Sequence, residues 1–84
     1  MNFTLLDAIG LVGVGLMLVA YGLTIARRLD PVRPPALLMN LVGSVAVLAS
    51  LAGAFNLSAA VIETAWALIA AGGLARWAMR RRAP

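Results

Sequence analysis

The chain has no cysteine, no histidine and, because its seven basic residues are all arginine, no lysine. Without cysteine there is no disulfide framework, thiol nucleophile or thiolate ligand, and without histidine the commonest metal ligand and the base that titrates near neutrality are gone. Lacking lysine, it also has no amine for Schiff-base chemistry. Acids are scarce too: Asp7, Asp30 and Glu63 are the three carboxylates of 84 residues, and no shared signature pairs them for acid–base work. No serine sits in a nucleophile motif, and the glycines of GLVGVGLMLVAYG lack the strand-loop-helix context of a phosphate loop. Neither an enzyme nor a cofactor or metal is therefore expected.

What remains is apolar. Hydrophobic residues make up 63% of the chain and charged ones 12%, with a mean hydropathy of +0.98. A soluble domain carries roughly 45–50% apolar residues, so the composition is that of an all-α membrane protein, here one domain over 1–84. Three runs are long enough for a hydrocarbon core that needs about 20 residues: 5–26, 36–55 and 58–77, each bound approximate. Between the first two lies RRLDPVRPP, whose charges and prolines read as a rigid loop, with Pro35 suited to the first turn of the second helix. The short FNLS link makes the second and third helices an antiparallel hairpin, with Ser58 the expected N-cap. The first run lacks the basic start of a secretory signal and is too long for one, so it reads as a mature helix.

The arginines fall in two groups: Arg27, Arg28 and Arg33 in the first loop, and Arg76, Arg80, Arg81 and Arg82 at the C-terminal end. An odd number of spans puts both groups on one side, and the positive-inside rule then predicts the N-terminus out and the C-terminus in. A net charge of +4 and a pI near 11.6 would fit nucleic acid. Placed beside apolar spans, these residues instead read as topology determinants that attract anionic lipid headgroups, and no nucleic-acid partner is expected.

Winding each span at about 100° per residue gathers its small and polar residues on one face. The third span groups Glu63 with Ala59, Ala60, Trp66, Ala67, Ala70 and Leu74; the second groups Asn40, Gly43, Ser44, Val47 and Ala54, with Ser50 at the margin; the first groups Asp7, Gly10, Val14, Tyr21 and Gly22. These faces are expected to meet, because small residues let helices approach closely in lipid. Tyr21 and Asn40 lie at the same depth, within reach of a hydrogen bond.

Glu63 is the leading candidate for function, since an ionisable side chain within a span costs about 2.5–3.5 kcal/mol at the bilayer centre. Three roles fit it: reaching headgroups from the outer end of its helix, hydrogen-bonding across an interface as structural glue, or serving transport, gating or ligand binding. Asp7 reads as a solvated acid near the start of the first helix.

The run IGLVGVGLMLVAYGL, the Pro-containing basic loop, LLMNLVGSVAVL and AAVIETAWALIA together resemble a family of small, uncharacterised bacterial three-helix membrane domains. Gly10, Gly13, Tyr21, Asn40, Leu41, Gly43 and Trp66 carry the resemblance over about residues 8 to 77; Glu63 stands where that pattern has Asn. A fainter likeness is to SemiSWEET and PQ-loop half-transporters, although the Pro-Gln pair of their first helix is absent. It implies a homodimer whose two copies enclose a small polar cavity lined by Glu63, Trp66, Asn40 and Tyr21, transporting a small solute. The alternative is a structural or assembly subunit of a larger membrane complex using the same face for packing. Either reading places the chain in the bacterial inner membrane as a multi-pass protein, with lipids and a homo-oligomeric or larger protein partner.

Overall fold

Thr4 starts the first helix with a reciprocal cap: its hydroxyl accepts from the Asp7 N–H at 3.2 Å, and Asp7 Oδ2 accepts from the Thr4 N–H at 2.9 Å. Asp7 is thus an exposed capping residue. The structure, a computed structural model, describes residues 3–82, so the ends of the 1–84 domain lie outside it. All its regular elements are helices: α1 (Leu5–Ile25), α2 (Pro34–Ser50) and α3 (Leu57–Arg82).

α1 closes in a Schellman arrangement, with the Arg27 N–H on Thr24 O at 3.1 Å and the Arg28 N–H on Leu23 O at 2.9 Å. The motif needs a left-handed residue, and Arg27 supplies it at φ 62°, a place where glycine is commoner. Asp30 then organises the loop, accepting from the Val32 N–H at 3.0 Å through its side chain and from the Arg33 N–H at 3.2 Å through its carbonyl.

Pro34 and Pro35 both lie inside the first turn of α2, where amide protons would be unpaired anyway, so this helix begins before the expected Ala36. It also ends early. The Ser50 hydroxyl donates to Val47 O at 2.6 Å, and Leu51, Ala52 and Gly53 each donate to the carbonyl three residues back. The winding there tightens from α-helical to 3₁₀-like turns. Asn56, not Ser58, caps α3: its side-chain oxygen accepts from the Ala59 N–H at 3.1 Å, and Ser58 falls in the first turn. At the far end α3 continues past Trp77 to Arg82, because Ala, Met and Arg sustain a helix and nothing there breaks it.

By length and composition α1 and α3 can each cross a membrane, whereas α2, expected as a full span, is a shorter apolar helix of 17 residues. At 1.5 Å per residue these are about 31, 39 and 25 Å long.

α2 is the middle helix. α1 packs on it and so does α3, with no backbone contact between α1 and α3 among the described residues. The α1–α2 crossing is made by two glycines: a Cβ on Gly13 would lie 2.5 Å from Gly43 O, and one on Gly43 would lie 2.7 Å from Gly13 O. Buried or half-buried Gly10, Gly13, Met17, Ala20 and Thr24 therefore form α1's packing face, at i, i+3 and i+4 spacing. That face differs from the expected one, because Val14, Tyr21 and Gly22 are exposed. Glycine and alanine allow the close approach, and larger Val14 and Tyr21 are turned away from it. For α3 the expected face is the observed one except at Trp66: Ala59, Ala60, Glu63, Ala67, Ala70 and Leu74 are half-buried or buried, Trp66 is 43% exposed, and Val61, Ala65, Leu68 and Gly72 are exposed.

Candidate functional site

Polar side chains inside this fold have few partners, and most turn to their own backbone. The Thr24 hydroxyl donates to Ala20 O at 2.7 Å and Asn40 Nδ2 to Ala36 O at 2.9 Å, satisfying groups that apolar neighbours cannot. Ser44 is fully buried, and its hydroxyl has Met17 Sδ as partner at 4.0 Å.

One strong side-chain bond crosses between helices: Trp66 Nε1 donates to Asn40 Oδ1 at 2.9 Å. Its geometry follows from the rest of Asn40. With Nδ2 held by the carbonyl one turn back, the amide oxygen is left facing α3, where the indole N–H requires an acceptor. Beside the pair is a groove of about 250 Å³ between α2 and α3, lined by Pro31, Leu37, Asn40, Trp66, Ile69 and Ala70. Trp66→Phe, which keeps the ring and removes the N–H, is expected to destabilise the chain by about 1 kcal/mol. Asn40→Leu in the same background should then add little. Thermal unfolding of the two single variants and the double variant in one detergent measures the coupling; additive losses would show that the bond contributes nothing.

Glu63 lies one turn before Trp66 on the same helix, about 9 Å along the axis from the start of α3. Its Oε1 is buried and has no hydrogen-bond partner among the described residues. Following the antiparallel register back one turn from the Asn40–Trp66 bond puts Glu63 level with Gly43 and Ser44, where α2 is at its narrowest. A carboxylate oxygen accepts hydrogen bonds, so this one is left open to a donor or cation from another molecule.

Of the four side chains expected around a cavity, one chain brings Asn40 and Trp66 into contact and places Glu63 beside them. Tyr21 does not join. It is 66% exposed on α1, and the hydrogen bond to Asn40 that its depth allowed does not form, since Asn40 is occupied by Ala36 and Trp66.

A second constellation was not foreseen from the sequence. Arg33, Arg76 and Arg80 line one cleft with Asp30 and Trp77, so the loop and the end of α3 come together at one end of the molecule. Its sequence signal was the four-residue spacing of Arg76 and Arg80, which puts them on one helix face. Arg81 lies over the Trp77 ring at 5.3 Å from its centroid, steadying the indole.

One family model matches the chain over residues 6–82, and the family is small and uncharacterised. No curated protein and no solved structure matches the chain, and nothing among the comparisons ties it to SemiSWEET or PQ-loop proteins.

Proposed function

This chain belongs to that small, uncharacterised family, and on that premise we propose that it crosses the bacterial inner membrane three times and works as a homodimeric half-transporter for a small solute. The observation that carries the reading is Glu63 Oε1, a buried acceptor with no donor among the described residues. In an apolar helix such a group is retained against its cost where something that comes and goes completes it. Two copies of the Asn40, Trp66 and Glu63 seam facing each other would enclose a polar cavity with two symmetric carboxylates, and Tyr21, exposed on α1, would reach that cavity only across the dimer. α2 completes its crossing through the tightened turns at 51–53, and the arginine-bearing end lies inside.

Flux through proteoliposomes tests this directly. Glu63→Gln preserves the side chain's shape and removes its charge; it is expected to abolish pH-dependent uptake of small solutes while leaving the dimer intact. Equal flux in both forms, or a wild type that is monomeric in the bilayer, would end the transport reading.

A second reading, a structural or assembly subunit of a larger complex, is favoured by a separate observation. On α1, Gly15 and Gly22 lie seven residues apart, and a Cβ added at either would meet nothing within 4 Å. They leave notches for the close approach of a helix from another protein. Recovery of the chain from native membranes with one stoichiometric foreign subunit would support it.

A further inference from the structure

We infer that the cleft between the α1–α2 loop and the end of α3 is a specific site for the phosphate group of an anionic lipid. The sequence spreads seven arginines over two segments and suggests only diffuse attraction. The fold separates three of them from the rest. Arg33, Arg76 and Arg80 line one cleft of about 590 Å³, accompanied by a single carboxylate, Asp30, for a local charge of +2.

None of these guanidinium groups has a hydrogen bond to any described residue. Asp30 instead accepts from the Val32 N–H. Three unengaged planar donors around one space match a phosphate better than a carboxylate, since its oxygens can each take a fork of N–H groups.

The surroundings point to a lipid as the source. Leu37 and Trp77 form apolar and aromatic walls, and a Cβ on Gly73 would lie 2.9 Å from Leu37 Cδ2, so that glycine lets the leucine fill the cleft's floor. One turn before Gly73 on the same side of α3, Ile69 is 73% exposed, giving acyl chains an apolar surface to follow. Arg81 stacks on the cleft's Trp77, whereas Arg27, in the left-handed turn, Arg28 and Arg82 lie outside the cleft and supply a charge-matched control.

The site rests on the membrane reading but not on transport. Full-length protein in nanodiscs of zwitterionic lipid with one-tenth phosphatidic acid or cardiolipin is the test, with retained anionic lipid read by native mass spectrometry. Arg33→Gln/Arg76→Gln/Arg80→Gln is expected to cut retention about tenfold or more, and Arg27→Gln/Arg28→Gln/Arg82→Gln less than about twofold. Equal losses in the two triple variants, or no anionic preference in wild type, would overturn the site. Displacement of the lipid by millimolar inorganic phosphate would overturn the lipid assignment in favour of a free anion. Alkaline extraction of native membranes from the same cells keeps the two readings apart. Wild type that stays in the membrane but ignores headgroup charge refutes the cleft alone, whereas wild type washed out refutes the membrane reading and the cleft with it.

Discussion

Gly13→Ala is expected to destabilise the folded chain by about 1–3 kcal/mol, the range for forcing extra atoms into a packed contact. The new methyl carbon would lie 2.5 Å from Gly43 O and 2.9 Å from Ala46 Cβ. The first of these is backbone, which cannot rotate away, so α1 and α2 must separate and lose dispersion contacts along the whole crossing. The intrinsic helix preference for alanine over glycine offsets about 0.5–1 kcal/mol of this. Gly43→Ala should be milder, because its closest neighbour is the flexible Met17 Cγ at 2.6 Å, although Gly13 O follows at 2.7 Å. The double variant should cost less than the sum, since helices already parted have less to lose.

Gly15→Ala sets the baseline. A Cβ there meets nothing within 4 Å, so the helix preference acts alone and the variant should gain up to about 1 kcal/mol. Thermal unfolding in one detergent compares the three. Gly13→Ala unfolding no earlier than Gly15→Ala would mean that the two glycines are not the point of contact.

Glu63→Met should give the opposite sign: a more stable protein that no longer transports. Removing a buried acceptor that lacks a donor, in favour of an apolar side chain of similar length, is expected to stabilise by about 1–3 kcal/mol. Unfolding midpoints and solute uptake on the same preparation check both halves. A variant less stable than wild type would mean that the carboxyl is already bonded across an interface and acts as structural glue. A variant that is more stable yet fully active would leave the acid without a part in function.

Helix number and most helix ends were legible in the sequence, because they depend on local chemistry. Prolines and the short link before Ser58 act within a turn or two of themselves, so spans written from the apolar runs fall close to α1, α2 and α3, while the Thr4–Asp7 cap was seen only in the structure. The errors were local as well. Asn56 took the cap assigned to Ser58, and α2 stopped at Ser50 because its last turns tightened. Azimuth was legible on α3, where Glu63 marks one side of an otherwise apolar surface, and on α2, where Asn40, Gly43, Ser44 and Val47 are all buried or half-buried and only Ala54, beyond the helix end, is exposed. On α1 small and large apolar residues alternate with no polar contrast to fix a face, and the expected face was rotated away from Gly13, Met17 and Ala20.

The sequence by itself determined the apolar character of the chain, its three helices and the confinement of arginine to the loop and the tail, because composition and short-range spacing suffice for each. Only the tertiary structure decided that α2 is the central helix, that Asn40 is given to Trp66 and not to Tyr21, that one oxygen of half-buried Glu63 has no donor among the described residues, and that three of the seven arginines share a cleft. Those facts depend on how closely two backbones can approach. Between α1 and α2 that distance is set at Gly13 and Gly43, thirty residues apart in the chain, and between α2 and α3 at Leu37 and Gly73, and no local pattern encodes either.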